Sequence, residues 1–485
     1  MPLSADGFQH SRNYTSARMA GERYPRLLLG VKTFMGISLL YCLYALIDEP
    51  LMAVLGAAAI VLAAMLPAYL WAAGYRSGLP VLPLHATTLV WTFALPLVAG
   101  HPEIANYDPD EIAWSAAMVV LYTLVATVVW LLVARNPHAP RSKYYVLPND
   151  RGYLLLVLAL ALGGTFILLV VSHSLSMDAG MFGILRGVLL AFSAVACFVL
   201  AFRLGRRELS QGEKWGFAAA AALYLVAQLS TIYLVGAIIG TISLLIGFSV
   251  GRRAIPWAVI IVATCFFGLL HSGKGEMRER YWDPEPQPIA WYAVPGFLAS
   301  WTASGVKVLV DPEDKLVSQP LYERISLVHL LLFVQRMSPD SIPYLMGETY
   351  AVVPHLLVPR VIDPDKPTSH AGTSILSVHY GFQSIEGTAS TTIGWGLINE
   401  AYANFGAAGI VALAIFIGLL LGFAGRITIG APIMSLANLV GVTFAATAIQ
   451  TEFTMGVFST VLFQSMVSLA LVLPFLERRP VESPG

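Results

Sequence analysis

The sequence is poor in charged residues. Lys, Arg, Asp and Glu together make up 12% of the 485 residues, whereas hydrophobic residues make up 57%. A soluble globular domain carries roughly 25% charged residues, so this chain lacks the polar surface of such a domain. The formal net charge is zero and there is no basic tail, which argues against a nucleic-acid partner.

Cysteines and metal-binding patterns are also scarce. The three cysteines, Cys42, Cys197 and Cys265, all lie in apolar runs, which excludes a disulfide framework in the polar part of the chain. Ten histidines are present, but none has the spacing of an HExxH motif, and no CxxC pair occurs. We therefore expect no metal ion and no cofactor.

We expect no cleavable signal peptide at the N-terminus. Residues 1–26 are polar and carry four arginines ahead of a full-length apolar run. This pattern is typical of a signal-anchor that remains part of the protein. We expect residues 1–26 to form a cytoplasmic tail.

Apolar runs of membrane-spanning length are abundant. They are about 18–25 residues long, enough to cross a hydrocarbon core of about 30 Å. The sequence therefore predicts an all-α polytopic membrane protein with about 12 transmembrane helices and one large periplasmic loop containing short helices. The runs lie at residues 27–47, 51–73, 80–100, 111–134, 152–173, 181–204, 214–231, 233–250, 254–271, 405–424, 429–449 and 452–476.

Basic residues between the runs predict the orientation, because Lys and Arg accumulate on the cytoplasmic side. They follow the second, fourth and sixth runs, whereas the alternate connections at 48–50, 101–110 and 173–180 contain none. Residues 214–250 could form one bent helix or two spans. Two spans keep Arg252 and Arg253 on the cytoplasmic side, and we adopt that reading.

This count divides the chain into five parts and predicts a multi-pass protein of the bacterial inner membrane with both termini in the cytoplasm. The spans show no internal repeat and carry little charge apart from Lys32 and Arg186, which disfavours a transporter with a midplane site. The parts are a cytoplasmic tail at 1–26, transmembrane helices 1–9 at 27–271, the periplasmic loop at 272–404, transmembrane helices 10–12 at 405–476 and a cytoplasmic tail at 477–485.

The loop is far longer than a connection requires, and such segments commonly carry function. Lys274, Arg278 and Arg280 follow the ninth run closely. The planar fork of arginine suits phosphate oxygens, although pairing with Glu276 and neighbouring carboxylates would also satisfy these residues. Arg186, about one turn inside the sixth run, is either a functional intramembrane charge or a side chain that snorkels to the interface.

Candidate proton acceptors also lie in the loop. His370 and His379 occur in a segment rich in Gly, Ser and Thr. Each could be a general base, because imidazole titrates near neutral pH, or could simply be solvated. Glu400 and Asn404 share a helix face at the start of the tenth run. Glu400 could act as a base or could hold an arginine.

Three loop segments carry a family-like pattern. They are Gly-Glu-Thr-Tyr at 347–350, Val-Pro-Arg-Val-Ile-Asp-Pro-Asp-Lys-Pro at 358–367 and Gly-Leu-Ile-Asn-Glu-Ala-Tyr-Ala-Asn-Phe-Gly at 396–406. The loop resembles that of the Wzy-type polymerases of bacterial oligosaccharide repeat units, which build O-antigens, capsules and exopolysaccharides. Asp363 stands where the family pattern often has an aromatic residue.

The resemblance implies a metal-independent, inverting glycosyltransferase that joins repeat units carried on undecaprenyl diphosphate at the outer face of the inner membrane. A sugar hydroxyl of one lipid-linked unit would attack the anomeric carbon of the growing chain, whose lipid diphosphate leaves. Cations must then stabilise the leaving diphosphate, and a base must accept the hydroxyl proton.

The resemblance places Arg360, Lys366, Glu400 and Tyr402 in this site, since they lie in the matching segments, and the other candidates follow from position. Expected partners are membrane lipid, the lipid-linked oligosaccharide, a chain-length regulator and a flippase. Alternatives are a ligase that transfers polymer to lipid A or protein, and a polysaccharide or lipid transporter. The predicted diphosphate ligands are Arg186, Arg278, Arg280, Arg360 and Lys366; the predicted proton acceptors are Glu400, His370 and His379; the predicted sugar contacts are Tyr350, Tyr402 and Trp282.

Overall fold

The structure is a computed structural model that describes residues 24–135, 143–175, 177, 179–282, 287–310, 320–358, 362–363 and 365–480. Two short strands accompany the helices, β1 (Lys143–Val146) and β2 (Glu477–Pro480). The helices up to the loop are α1 (Pro25–Ala45), α2 (Leu51–Ala73), α3 (Val81–Leu97), α4 (Pro109–Val133), α5 (Asn149–Val171), α6 (Ala179–Gly205), α7 (Gln211–Ser230), α8 (Leu234–Arg252) and α9 (Trp257–Ser272). Those that follow are α10 (Lys274–Trp282), α11 (Val294–Val310), α12 (Leu321–Arg324), α13 (Val328–Met337), α14 (Glu348–Ala351), α15 (Val353–Leu357), α16 (Ala371–His379), α17 (Gly387–Ser390), α18 (Leu397–Ile427), α19 (Leu436–Ala448) and α20 (Met455–Ala470).

Within the described residues, nine helices are long and apolar enough to cross a bilayer, so the chain is an all-α polytopic membrane protein. Every predicted run overlaps a helix, but α3 and α19 are shorter than a full span and α7 is not among the nine. Helices α9 and α10 meet the criterion only together and bend by 50° where they join. The nine are α1, α2, α4, α5, α6 from Met181, α8, α18, Met455–Phe475 and Trp291–Val310.

Helix α3 is interrupted in a way that anchors the loop. It contains a π-helical turn at Val90–Ala94, shortly before Pro96. Proline has no N–H to donate to the carbonyl four residues earlier, so the Thr92 carbonyl needs another donor. The Leu327 N–H provides it, with an N–O distance of 2.8 Å. A residue of the loop is thereby fixed to a membrane helix.

Residues 214–250 form two helices, as the charge pattern favoured. The chain turns at Ile232, which has a φ of 59°. The side chain of Gln228 then packs against Gly236, and that of Tyr224 against Gly240. Contacts in this order show that α7 and α8 run antiparallel.

Helices α6 and α8 pack closely and in parallel. Gly247 lies against the carbonyl of Phe198, and Gly251 lies against the carbonyl of Phe202. Glycines four residues apart let helix backbones approach closely in a membrane, where dispersion contacts hold helices together. This contact fixes the parallel direction of the sixth and eighth predicted runs.

The basic connections gather at one end of the bundle. Strands β1 and β2 pair antiparallel, which joins the connection after α4 to the C-terminal segment. Val146 also bridges to Ser435, between α18 and α19, and the Leu79 N–H donates to the Thr428 hydroxyl at 2.8 Å. The connections predicted to be cytoplasmic therefore share one face.

The loop contacts the opposite end. The guanidinium of Arg336 in α13 binds the carboxylate of Glu111 at the start of α4, with an Nε–Oε1 distance of 2.7 Å. The Ile289 N–H donates to the carbonyl of Val171, the last residue of α5, at 3.1 Å. The described structure thus separates the loop from the basic connections, and the cytoplasmic assignment of the basic end stays a prediction.

One helix inside the predicted loop has the composition of a membrane span. Trp291–Val310 is apolar and runs antiparallel to α9 and α10: the Trp301 Nε1–H donates to the Leu270 carbonyl at 2.8 Å, and Phe297 contacts Tyr281 edge-on. Its last turns expose large apolar side chains, whose contact with water would be costly. The loop therefore includes a helix suited to insert into the bilayer beside α9.

We expect Gly251→Leu to destabilise the protein. An added Cβ at Gly251 would clash with the Phe202 carbonyl oxygen, and overpacking of this kind costs about 1–3 kcal/mol. Gly183→Leu, in α6, is the matched control, since nothing lies within 4 Å of the Cβ position there. The measurement is the melting temperature in detergent, and equal values for the two variants would contradict the packing.

We expect the two ends to label from opposite sides of the membrane, because Lys and Arg accumulate in the cytoplasm. In a cysteine-free background, Asp365→Cys should react with an impermeant maleimide in intact spheroplasts. Lys143→Cys should react only after the cells are broken. Both positions are exposed, so accessibility of the side chain does not bias the comparison. The reverse result would invert the topology.

Candidate active site

Three cations lie within electrostatic reach of one another at the loop end, and we call Lys274, Arg278 and Arg324 the cationic cluster. Lys274 begins α10 directly after the bend, and Arg278 lies one turn further on the same face. Arg324 is the last residue of α12. The pKa of Lys274 is lowered to about 8, mainly by burial and then by the charges of Arg278 and Arg324. The cluster therefore concentrates positive charge in a partly desolvated place.

Aromatic rings hold Arg278 in position. Its guanidinium lies 4.7 Å from the centroid of the Trp282 ring and 5.9 Å from that of Tyr233. Burial, followed by the charge of Arg324, lowers its pKa. Its Nε is buried and has no hydrogen-bond partner among the described residues. Cation–π contacts orient a guanidinium without neutralising it, so its charge remains available to an anion.

Two of the other predicted diphosphate ligands are exposed. Arg280 pairs with Glu276, with an Nη2–Oε1 distance of 3.4 Å. Arg186 is exposed on α6. Arg360 lies outside the described residues.

Lys366 has a structural position. Its Nζ donates to the carbonyls of Leu356, at 2.9 Å, and of Val358, at 2.7 Å. These carbonyls end helix α15, where a positive charge is favourable because of the helix dipole. The lysine of the Pro-Asp-Lys-Pro segment thus fixes the fold of the loop.

Glu400 is fully buried and binds the start of α20. Its Oε2 accepts a hydrogen bond from the Met455 N–H at 2.6 Å, and the Thr349 hydroxyl also acts on the carboxylate. Asn404 donates from Nδ2 to the Thr349 hydroxyl at 2.9 Å. The sequence left two roles open for Glu400, a base and a ligand of an arginine, and the described contacts show neither. The carboxylate instead joins α18 to α14 and to the start of α20.

The two predicted histidine bases lie at the ends of α16. His379 donates from Nε2 to the Pro343 carbonyl at 2.9 Å, so this nitrogen is engaged by the backbone. His370 is exposed and directly precedes α16. The helix start lies beside α20, since the hydroxyl oxygens of Thr373 and Thr454 are 3.1 Å apart.

The predicted sugar contacts fall into two places. The Trp282 ring packs against the guanidinium of Arg278, in the cationic cluster. Tyr350 stacks on Phe405 with a centroid distance of 6.2 Å, next to a break in α18 where Gly406 has a φ of 60°. Tyr402 is buried and meets Tyr344 edge-on. The structure does not bring Tyr402 to the surface.

Sequence reasoning missed several polar groups of the loop end. Arg324 joins the cluster, and Glu452 raises the pKa of Lys274. His101 and His329 stack with a centroid distance of 5.0 Å. Burial, followed by the charge of His101, lowers the pKa of His329 to about 4. These pairs join distant parts of the chain, so no local signal identifies them.

No group of three or more His, Cys, Asp or Glu residues that could hold a metal ion occurs in the part of the chain that the structure describes. Comparison with known proteins finds no family model, no curated protein and no solved structure that matches this chain. Any assignment of function therefore depends on the residues of the chain itself.

We expect Glu400→Ala to destabilise the protein by roughly 1–3 kcal/mol, because it leaves the part-buried Met455 N–H without its hydrogen-bond acceptor. Glu400→Gln, which keeps an acceptor oxygen, should be milder. Glu386→Ala is the control, since Glu386 is exposed. Thermal unfolding in detergent measures the effect. A fully stable Glu400→Ala protein would contradict the structural role of this carboxylate.

Proposed function

We propose that this protein polymerises oligosaccharide repeat units carried on undecaprenyl diphosphate into a surface polysaccharide, at the periplasmic face of the bacterial inner membrane. The observation that supports it most strongly is the cationic cluster. It lies at the loop end, directly beyond the bend of α9, where the headgroup of a membrane lipid would lie. A site for a lipid diphosphate requires positive charge at this depth.

The chemistry of the cluster suits a diphosphate. Two guanidinium groups can each bind phosphate oxygens with two parallel hydrogen bonds, and an ammonium adds a point charge. Partial burial of Lys274 and Arg278 reduces solvent screening and strengthens their attraction to an anion. The rings of Trp282 and Tyr233 restrict Arg278 before a ligand arrives, which lowers the entropic cost of binding.

The surroundings suit an isoprenoid tail. Helix α9 exposes Val259, Ile261 and Val262, and α11 exposes Leu309 and Val310 at its end. These helices pack on one another and adjoin α10, which carries Lys274 and Arg278. A lipid whose headgroup binds the cluster would therefore place its tail along apolar helix surfaces.

In the proposed reaction the cluster stabilises the charge that develops on the leaving diphosphate. A hydroxyl of an incoming lipid-linked unit attacks the anomeric carbon of the growing chain from the opposite face, which inverts the configuration. The family-like segments contribute differently. Lys366 and Glu400 hold the loop in place by the contacts described above, and they act on the reaction by positioning the site.

The location follows from charge. Basic connections gather at the end opposite the loop, and such connections stay in the cytoplasm. Both termini then lie in the cytoplasm, and the cluster faces the periplasm. This orientation is part of the proposal, and the cysteine-labelling experiment described above tests it.

We expect Arg278→Ala and Lys274→Ala to abolish long polymer, with single repeats accumulating. Loss of one charged hydrogen bond costs about 1.5–3 kcal/mol, which corresponds to at least about tenfold in rate. Arg280→Ala is the matched control from the same helix, because Arg280 pairs with Glu276 at the surface. The measurement is polymer length on gels from a complemented deletion strain, with protein abundance determined by immunoblotting.

Normal chain lengths in both variants would overturn the proposal. The deletion strain itself separates the nearest alternative. If it accumulated long, lipid-linked polymer that is not transferred, the protein would be a ligase acting on finished polymer. If it accumulated single repeats inside the cell, the protein would be a transporter.

A further inference from the structure

The loop segment Trp291–Val310 has the length and composition of a membrane span, yet both of its flanks lie at the loop end of the bundle. Shortly before it, the Ile289 N–H donates to the carbonyl of Val171, at the loop end of α5, with an N–O distance of 3.1 Å. Shortly after it, α12 contacts Leu95–Leu97, the last turn of α3. The chain therefore enters and leaves this segment from the same side.

Helix α9 provides a scale for how far the segment reaches. Helix α8 runs parallel to α6 and ends at the basic end, so α9 starts there and runs to the bend at the loop end. Gly305 of α11 lies against the carbonyl of Leu269, and Gly273 at the bend lies against the backbone N of Gly305. Gly305 is therefore level with the last turn of α9.

The end of α11 falls well short of the basic end. Val310 is five residues beyond Gly305, which places it about 7–8 Å deeper along α9, at 1.5 Å per residue. Helix α9 itself continues for about 18 Å from Leu269 back to Trp257. A helix that crossed the bilayer beside α9 would have to reach that level, and α11 ends less than halfway there.

Buried contacts fix this position along α9. The chain bends by 50° between α9 and α10, which interrupts the helical hydrogen bonds, and the indole N–H of Trp301 supplies a donor to the Leu270 carbonyl at 2.8 Å. Trp301 is fully buried, and it packs in one cluster with Leu270, Met277 and Phe297. The depth of α11 is thus determined by protein contacts.

The inserted end presents an apolar surface. Val306, Leu309 and Val310 are 49%, 62% and 78% exposed, and Val262 on the adjoining part of α9 is 67% exposed. Contact of these side chains with water would be costly, whereas lipid hydrocarbon chains suit them. Lys307, the one charged residue of the helix, lies nearer the bend than Val310 does, and its long stem can carry the ammonium group to the headgroups.

We infer that Trp291–Val310 is a re-entrant membrane helix, which enters the bilayer from the loop end, ends beside α9 and binds lipid hydrocarbon chains with its last turns. Its composition would fit a complete crossing, but its level along α9 and the attachment of both flanks to the loop end fit re-entry. The helix then adds no crossing, and α18 begins on the side at which α9 ends. This inference does not depend on the proposed function.

The first experiment measures depth, with the full-length protein in vesicles of phosphatidylcholine and phosphatidylglycerol. Single cysteines in a cysteine-free background carry a nitroxide. A label at Val310→Cys should collide with dissolved oxygen and lose collisions with a water-soluble nickel chelate, as should one at Val262→Cys in α9. Glu386→Cys, at an exposed loop position, is the aqueous control. Nickel collisions at Val310 equal to those at Glu386 would overturn the insertion.

The second experiment distinguishes re-entry from crossing. Tyr292→Cys and Leu321→Cys lie on the two flanks, and both side chains are exposed. An impermeant maleimide should label both in intact spheroplasts. Labelling of one in intact cells and of the other only after the cells are broken would overturn re-entry. Labelling of both only after breakage would invert the topology of the protein and would still support re-entry, because the flanks would share one side.

Discussion

The hydrogen bond between the Thr92 carbonyl and the Leu327 N–H is the constraint on which the loop end depends. Pro96 leaves that carbonyl without its helical partner, and a buried carbonyl without a donor is costly. The Leu327 carbonyl in turn accepts from Asn399 Nδ2 at 2.9 Å, and Leu327 packs on Gly396, whose N–H binds the Glu452 carbonyl. A membrane helix, the loop and the last two helices are thus connected through one residue.

This network restrains one of the cations. Arg324 lies three residues before Leu327, so the anchoring of Leu327 also restrains Arg324. Lys274 and Arg278 arrive from the bend after α9. Bringing cations together in a partly buried place opposes stability, and stability alone gives no reason for such a cluster. Under the proposed function, a lipid diphosphate would neutralise this charge.

Residues of the family-like segments make contacts that hold the loop together. Lys366 binds helix-end carbonyls, and Glu400 and Asn404 are fully buried among backbone donors and hydroxyls. Glu400 Oε2 and Asn404 Nδ2 are hydrogen-bonded, whereas Glu400 Oε1 is buried and has no hydrogen-bond partner among the described residues. The bonds that are made help to fix the arrangement of the short helices. Among the described motif residues, Lys366 and Glu400 therefore hold the loop together.

The sequence by itself determined that the chain is helical and membrane-spanning, and it separated basic connections from the loop, because hydrophobic length and local charge are properties of short stretches. It also indicated two helices in residues 214–250. Only the tertiary structure decided that the charge of Arg324 acts on Lys274 and Arg278, that Lys366 and Glu400 bind backbone groups, and that Trp291–Val310 packs along α9. Those relations depend on side chains far apart in sequence, which no local pattern encodes.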